Sequence, residues 1–298
     1  KSYNGCGGGI QLGTTGSTSD VSLTISNCNF KGNRADRNGG ALSIGVFNDF
    51  IIEGCIFENN AAGQIGTEPF YGGAIYINGT AYNRSPSLIT ITGCTFKNNF
   101  ASDGNALVIK DLPTTTVEIN NSCKFMDNCN TSVSRDSDTS ACILETGYSL
   151  IDSCTFSNTE STRHASRGLE IGSINADVNN CIFHHCITAN ATKANSLWVK
   201  ENVESCIVKG CAFTDSGAPR GDTIQTETRA FTFENSKIEF ANAPSATRGI
   251  FVKYPSAFHV LKSSFIRCRS DAARDNGAAV HYVGFNVPTS NAGEYKED

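Results

Sequence analysis

The chain has 298 residues, of which 39% are hydrophobic and 18% are charged, and it contains 13 cysteines. This composition excludes a collagen, a coiled coil and a disordered chain, and no apolar run approaches the ~18 residues of a membrane-spanning helix. The net charge of −5 provides no basic field for nucleic acid, so we expect no nucleic-acid partner.

A short phrase recurs along the chain: apolar, any residue, apolar, two turn-prone residues, Cys, any residue, Phe. Its copies follow one another at spacings of 25 to 39 residues. Alternating apolar residues bounded by Gly, Asn, Ser and Thr are typical of short strands and turns. The Cys slot is occupied by Cys28, Cys55, Cys94, Cys123, Cys154, Cys181 and Cys211, and then by Ser236 and Ser263. The Phe slot is occupied by Phe30, Phe57, Phe96, Phe125, Phe156, Phe183, Phe213 and Phe265, with Ile238 in the eighth copy.

A second phrase, a run of small residues and then apolar, any residue, apolar, lies between copies of the first. The clearest copies are residues 39–44, 72–77 and 104–109. Weaker copies place Leu169 and Ile171, Leu197 and Val199, Ile224 and Thr226, Ile250 and Val252, and Val280 and Tyr282 in the same two slots. The segment around Cys142 does not fit cleanly, and its register stays open. Residues 7–13 match the second phrase with no first phrase before them.

Three short strands per repeat, with insertions confined to loops, are typical of a solenoid. Each strand then pairs with its equivalent one coil away, ~4.8 Å along the axis, as in a parallel β-helix. We predict an all-β, right-handed parallel β-helix of about ten coils. We expect one domain over residues 1–287, which starts in the middle of a coil, and a polar tail over residues 288–298.

Stacked coils place equivalent residues above one another, so the Phe slot should form an aromatic column in the core. Three residues after Phe, an asparagine recurs in the first copies, and we expect it to satisfy backbone groups at a bend. This inward-facing ladder consists of Asn33, Asn60, Asn99 and Asn128. The residue before the Cys slot is mostly Asn, Gly or Ser, types that tolerate a tight turn.

The Cys slot allows either disulfides or free thiols. Equivalent Cβ atoms of neighbouring coils lie ~4.8 Å apart on parallel vectors, whereas a disulfide needs Cβ atoms ~3.5–4.5 Å apart that point toward each other. We therefore expect the column cysteines to be small buried thiols. Three bridges stay open as alternatives: Cys123–Cys129, Cys181–Cys186 and Cys206–Cys211. The redox states of Cys129, Cys142, Cys186, Cys206 and Cys268 also stay open.

Polysaccharide hydrolysis with inversion needs two carboxylates ~6.5–9.5 Å apart. In the outward slot two residues before Cys, acids such as Glu53 and Asp152 lie on separated coils. The sequence shows no stack of acids, and no Asp/Glu cluster for Ca²⁺. We therefore expect the chain to have no catalytic residues.

The run His184-His185-Cys186, with Cys181 upstream, contains residue types that bind metals. In the β-helix frame, Cys181 and Cys186 point inward while the two histidines straddle a bend. The four side chains cannot easily converge, so we expect no metal and no cofactor.

Sequons for N-glycosylation occur at five asparagines, and the one at Asn83 is weakened by the Pro86 that follows it. The remaining candidates are Asn78, Asn120, Asn130 and Asn190. Asn78 is the best candidate because the residues that follow it end a strand in a long polar segment. Because Asn, Ser and Thr are abundant, the number of sequons alone does not indicate a secretory protein.

Three pairs of tetrapeptides carry a family resemblance: residues 30–33 with 39–42, 57–60 with 72–75, and 96–99 with 104–107. They resemble the F-x-x-N and G-G-A-[ILV] tetrapeptides of the chlamydial polymorphic outer membrane protein repeats. Related repeats are found in large surface proteins of some protists. The resemblance implies a right-handed β-helix in a cell-surface protein, often adhesive, and it transfers no catalytic residues.

The leading hypothesis is a non-catalytic β-helical rod, either adhesin-like at a cell surface or part of a filament or scaffold. Its partners would be other protein chains, joined end to end or laterally, or a cell-surface glycan. We expect it to be extracellular or at the cell surface, with an intracellular assembly as the alternative. Other functions left open are a polysaccharide hydrolase or lyase and a glycan-binding module. Such a module would depend on Tyr71, Tyr76, Tyr82 and Trp198.

Overall fold

The chain folds as a solenoid of parallel β-strands, as the repeat predicts. The computed structural model describes residues 5–12, 22–45, 48–63, 70–79, 86–128, 139–161, 166–188, 194–216, 222–240, 248–268 and 279–284. Within these ranges the regular structure consists of strands, without a helix.

Equivalent strands of successive coils form three columns. Column 1 precedes the Cys slot: Leu23–Ser26, Asp49–Glu53, Leu88–Thr92, the second halves of Leu107–Asn120 and Thr139–Asp152, Asn175–Asn179, Ser205–Lys209, Ala230–Glu234 and Ala257–Leu261. Column 2 carries the Phe slot: Asn29–Lys31, Ile56–Glu58, Thr95–Lys97, Lys124–Met126, Thr155–Ser157, Ile182–His184, Ala212–Thr214, Lys237–Glu239 and Ser264–Ile266. Column 3 follows the small residues: Ile10–Leu12, Leu42–Ile44, Ile75–Asn78, the first halves of Leu107–Asn120 and Thr139–Asp152, Ser166–Ile171, Leu197–Val199, Asp222–Thr226, Arg248–Lys253 and Val280–Val283. Short strands pair at the bend after column 2: Arg34–Ala35 with Ala61–Ala62, and Glu160–Ser161 with Ile187–Thr188.

Neighbouring coils align the repeated phrases slot by slot. Column 2 is a separate nine-stranded sheet, whereas two long strands join columns 1 and 3 into one sheet. The described residues therefore form nine complete coils, slightly fewer than the ten expected, with one further strand in column 3. The register left open by the sequence is also resolved, because Cys142 and Leu144 align with Leu107 and Ile109.

The Phe slot forms the predicted aromatic column. From Phe30 to Phe213, successive ring centroids lie 4.6 to 5.0 Å apart with interplanar angles of at most 9°. The inner rings are fully buried, whereas Phe30 and Phe265, on the first and last coils of column 2, are half-buried. Burial of each inner ring contributes ~2–3 kcal/mol by area.

The column is interrupted at Ile238, and a ring from column 1 compensates for the smaller side chain. Phe233 lies 6.1 Å from Phe213 and 5.8 Å from Phe265, measured between ring centroids, and is tilted by about 40° to both. Column 1 carries Ile or Val at this inward slot in most earlier coils, such as Ile91. The larger side chain in column 1 therefore fills the volume that Ile238 leaves in column 2.

The asparagine ladder is confirmed from Asn33 to Asn128. The Oδ1 atom of Asn99 accepts hydrogen bonds at 3.0 Å from both the backbone N–H and the Nδ2 group of Asn60. Its own Nδ2 group donates to the carbonyl oxygen of Phe57 at 2.9 Å and to Oδ1 of Asn128 at 3.0 Å. Each amide thus satisfies backbone groups of the neighbouring coil.

The Cys slot forms a column of free thiols. These thiols also form hydrogen bonds with the backbone, which the prediction of small buried side chains did not include. The Sγ atom of Cys123 accepts a hydrogen bond from the N–H of Cys94 at 3.3 Å and donates to the carbonyl of Ile91 at 3.5 Å. In the eighth copy Ser236 accepts in the same way, since its Oγ lies 3.0 Å from the backbone nitrogen of Cys211. Serine can therefore replace cysteine because both side chains accept and donate at this bend.

One expectation about the cysteines requires correction, and two of the open alternatives are resolved. Cys28 is exposed rather than buried, because it belongs to the first described coil of column 2, whose strand pairs within the described residues only with the next coil. The bridges Cys181–Cys186 and Cys206–Cys211 do not form, and all four thiols are free and buried. The bridge Cys123–Cys129 lies partly outside the described residues. Burial raises the pKa of Cys142 and of Cys206, which keeps these thiols protonated.

The turn between columns 1 and 2 uses the left-handed backbone conformation in every described coil. The residues are Asn27, Gly54, Gly93, Ser122, Ser153, Asn180, Gly210, Asn235 and Lys262, with φ between 46° and 65°. Asn and Gly adopt this conformation at low cost, so the turn-prone residue before the Cys slot is explained.

Candidate functional site

The outer face of column 3 carries large side chains that contact one another across coils, and we call it the column-3 strip. Its outward slot contains, in order, Gln11, Ser43, Tyr76, Val108, Ile143, Glu170, Trp198, Gln225, Phe251 and His281. The strip also includes Tyr71, Asp103, Lys110, Asp111, Glu145, Arg167, Lys200, Asp222, Glu227, Arg248 and Lys253. The outer faces of columns 1 and 2 instead expose scattered apolar residues such as Ile51 and Ile182, which are ordinary on a protein surface.

A buried ion-pair cluster lies in the middle of the strip. The Nζ atom of Lys200 lies 2.7 Å from Oε1 of Glu145 and 2.6 Å from Oε1 of Glu170. Oε2 of Glu170 accepts a hydrogen bond from Ser140 at 2.8 Å and lies 3.3 Å from Nη1 of Arg167. Glu170 and Arg167 are only 5% and 1% exposed, so these charges are balanced by one another rather than by water.

Lys200 reaches Glu145 across an intervening coil. Glu145, Gly172 and Lys200 follow equivalent strand positions on three successive coils. A Cβ atom at Gly172 would lie 3.1 Å from Cγ of Glu145 and 3.2 Å from Cδ of Lys200. The missing side chain on the middle coil therefore leaves space for the two long side chains to meet.

Trp198 packs beside the cations of this cluster. The guanidinium carbon of Arg167 lies 4.4 Å from the indole centroid, and Nζ of Lys200 lies 5.5 Å from it, both within the range of cation–π attraction. Burial lowers the pKa of Lys200, but Glu170 and Glu145 outweigh this effect and the pKa is raised overall. Lys200 therefore stays charged at neutral pH, and Trp198 remains half-buried beside it.

Asp103 adds a third carboxylate to the cluster. Burial, and then the negative charge of Glu170, raise the pKa of Asp103 to about 7. Its Oδ1 atom accepts a hydrogen bond from the backbone N–H of Gly104 at 2.9 Å. Asp103 consequently exchanges its proton near neutral pH beside carboxylates that are held in ion pairs.

Two stacked tyrosines lie toward the N-terminal end of the strip. The ring centroids of Tyr71 and Tyr76 are 6.0 Å apart at an interplanar angle of 17°, and Nζ of Lys110 lies 4.3 Å from the centroid of Tyr71. The Nδ2 group of Asn78 donates to the hydroxyl of Tyr76 at 2.6 Å and to Asp111 at 3.1 Å. Burial raises the pKa of Tyr71, and carboxylates of the central cluster raise it further. Tyr71 also pairs with Asp103 on the neighbouring coil, so the tyrosines adjoin the cluster.

A third group continues the strip toward the C-terminal coils. The Nε and Nη2 atoms of Arg248 lie 2.7 and 3.2 Å from the two oxygens of Asp222, a bidentate ion pair. Nη1 of Arg248 lies 2.9 Å from Nδ1 of His281, which contacts Phe251 edge to face. Burial and the Arg248 charge lower the pKa of His281, so its neutral ring accepts this hydrogen bond.

The expectation that acids do not cluster is wrong for column 3. Glu145 and Glu170 share one ammonium group, so their nearest oxygens lie closer together than the ~6.5–9.5 Å of an inverting glycosidase. The slot two residues before Cys carries acids only on separated coils, whereas the neighbouring acids belong to the strand of the second phrase. In the outward slot of that strand, Glu170 and Trp198 on consecutive coils were the available signal.

The His and Cys residues between positions 181 and 186 lie partly in the core and partly on the surface. Cys181 and Cys186 are fully buried in the core, whereas the exposed His184 places Nδ1 3.0 Å from the hydroxyl of Thr214. Among the residues that the structure describes, no three His, Cys, Asp or Glu side chains are arranged as metal ligands.

The proposed glycan and glycosylation residues are only partly described. Asn78 ends its strand with its amide bonded to neighbouring side chains, and Asn120 is half-buried at the end of a column-1 strand. Asn130 and Asn190, like Tyr82, lie outside the described residues. Tyr76 and Trp198 occupy the same outward slot four coils apart.

Comparisons of the chain with protein-family models, with curated proteins and with solved structures gave no match. In the part of the chain that the structure describes, no helix is long and apolar enough to cross a membrane.

Proposed function

We propose that the protein is a non-catalytic β-solenoid rod that acts by binding, with the column-3 strip as its binding face. The ion pairing of the central cluster is the observation that supports this most directly. A carboxylate that acts as nucleophile or proton donor must reach the substrate, whereas Glu170 is 5% exposed and is held by Ser140, Arg167 and Lys200. Side chains fixed in this way lose little entropy when a partner binds.

The rod takes one of two forms within this proposal. As a cell-surface, adhesin-like protein it presents the strip to a partner outside the cell, and the resemblance of its tetrapeptides to surface-protein repeats supports that form. As a filament or scaffold component it contacts further chains laterally or end to end, because the edge strands of a solenoid readily pair with other strands.

Polysaccharide turnover and association, measured on the same purified chain, test the proposal. Soluble polysaccharides are incubated with the protein, and reducing ends and unsaturated products are followed over time. Sedimentation velocity at several concentrations reports self-association. We expect no turnover, together with a complex formed by the chain with itself or with one of the polysaccharides. Turnover that disappears in Glu170→Gln would overturn the proposal.

A polysaccharide hydrolase or lyase is the second candidate, and Asp103 is the observation that favours it. A carboxyl group whose pKa is about 7 beside other carboxylates has the character of a general acid. On this reading, both Asp103→Asn and Glu170→Gln abolish turnover, and its pH profile follows the titration of Asp103. Absence of turnover between pH 5 and 8 on the same polysaccharides would reject this candidate.

A further inference from the structure

We infer that the column-3 strip binds a neutral, linear polysaccharide that lies along the rod axis. This inference rests on the proposed binding function and specifies the chemical class of the ligand. It follows from three features of the strip: how its charges are paired, where its aromatic rings lie, and how far apart those rings are.

The pairing of charges argues against an ionic ligand. Along the strip, cations contact carboxylates of the same surface, as Lys200 contacts Glu145 and Glu170 and as Arg248 contacts Asp222. A polyanion or polycation would have to break these pairs before it formed its own. The strip therefore offers little net field to attract a strongly charged partner.

The same ion pairs can form hydrogen bonds with the hydroxyl groups of a ligand. Carboxylates only accept hydrogen bonds, and ammonium and guanidinium groups only donate them, whereas a hydroxyl does both. A chain of hydroxyl-bearing rings can donate to an oxygen of Glu145 and accept from Lys200 without disturbing their contact. These two side chains keep 33% and 23% of their surface exposed, so they remain within reach of such a ligand.

The aromatic residues provide the apolar part of the site. Tyr71, Tyr76 and Trp198 are half-buried, so part of each ring surface remains accessible although cations pack against Tyr71 and Trp198. The C–H faces of sugar rings are apolar, and large flat side chains bury them with little loss of rotamer entropy. Contacts with Asn78 and Arg167 fix the rings before a ligand arrives.

The spacing of the rings selects an extended ligand. Tyr76 and Trp198 lie four coils apart in one slot, which is ~19 Å at ~4.8 Å per coil. A small molecule cannot contact both rings, whereas a chain of several sugars spans them and also passes Glu145, which lies on an intervening coil and contacts Nζ of Lys200.

Binding of defined polysaccharides tests this inference. The probes are hydroxyethyl cellulose, laminarin and mannan as neutral chains, and polygalacturonate as an anionic chain, measured by isothermal titration and affinity electrophoresis. We expect at least one neutral chain to bind, with less than about twofold change in affinity between low and high salt, because little net charge is involved. Binding of polygalacturonate alone, or binding of no probe, would overturn the inference.

Variants locate the binding surface. Tyr71→Ala and Trp198→Ala should each weaken binding about tenfold or more, as expected for aromatic contacts at the centre of an interface. The control Tyr148→Ala removes a half-buried tyrosine that contacts Asp177 in column 1, and it should leave affinity within about twofold. Equal losses in all three variants would contradict the assignment.

Urea midpoints of each variant show whether the fold is retained. Should Trp198→Ala unfold, the half-exposed Glu145→Gln serves instead, and an unchanged affinity in both Tyr71→Ala and Glu145→Gln would also contradict the inference. If no probe binds and no polysaccharide is turned over, the inference fails but the proposed binding function stands, with protein as the partner. Turnover would overturn the proposed function itself.

Discussion

Replacement of Phe125 by alanine tests the contribution of the aromatic column to stability. Phe125 is fully buried, and its ring lies between Phe96 at 4.7 Å and Phe156 at 4.8 Å, measured between centroids. The strands above and below are fixed by their ladder hydrogen bonds, so the space left by the ring cannot easily collapse. Phe→Ala substitutions in such cores cost ~3–5 kcal/mol, and the loss of two ring contacts places this one toward ~4–5 kcal/mol.

Phe30→Ala is the matched control, because Phe30 is the same residue type in the same slot. Its ring is half-buried and stacks on Phe57 at 4.9 Å at the first coil of the column. Since water can reach the vacated space, we expect a loss of only ~1–2 kcal/mol in the free energy of unfolding.

Urea unfolding followed by far-UV circular dichroism and by the fluorescence of Trp198, the single tryptophan, measures both variants. Two probes are needed because a solenoid does not always unfold in one cooperative step. A loss below ~1.5 kcal/mol for Phe125→Ala, or an equal loss for both variants, would refute the reasoning that the stacked interior ring dominates.

Four further substitutions, at three positions, have expected outcomes that urea midpoints can check. Cys123→Ser should lower the free energy of unfolding by less than ~1 kcal/mol and Cys123→Ala by ~1–3 kcal/mol, because only serine keeps an acceptor for the N–H of Cys94. Equal losses would contradict this role of the thiol. Asn99→Asp should cost more than ~3 kcal/mol at pH 7, because it buries a charge and removes a donor to Asn128. The loss should shrink at acidic pH as the new carboxyl is protonated. A pH-independent loss would argue against a buried charge. Folding raises the pKa of Asp103 to about 7, so the stability that this group contributes is complete below pH ~4 and is lost as the pH rises through 7. Asp103→Asn should therefore reduce the fall in unfolding free energy between pH 5 and 8, and an unchanged slope would show that Asp103 does not titrate there.

The residues that face the core could be predicted from the sequence, because period-two alternation decides which side chains point inward. Phe125 and Asn99 each occupy a slot repeated at every coil, and stacking then dictates their neighbours. Cys142 shows the limit of that reasoning. It occupies a slot held by Leu107 and Leu169 on the adjacent coils, but the residues before it lack the glycines that open the clearest copies of the second phrase.

The exposure of the outward-facing residues could not be predicted in the same way. A strand position predicts that Val108 faces away from the core, and in a bare solenoid it would be exposed. Instead it is fully buried, because the segment before the strand folds over it and a Cβ atom at Gly104 would overlap its side chain. Which segments cover a face depends on the lengths and paths of loops, and the repeat does not specify them.

The solenoid also explains how the central cluster is held in place. Glu145 and Lys200 are 55 residues apart in sequence, yet two coils separate them by only ~10 Å along the axis. A lysine side chain extends far enough to cover much of that distance, and a side chain on the middle coil would obstruct it, which accounts for Gly172. The hydrogen bonds between strands fix the rise from coil to coil. A lysine, a glycine and a glutamate at equivalent positions of three successive coils therefore suffice to build a rigid ion pair. Specific contacts on this fold therefore arise from the order of outward residues along a column, while the inward repeat keeps their spacing constant.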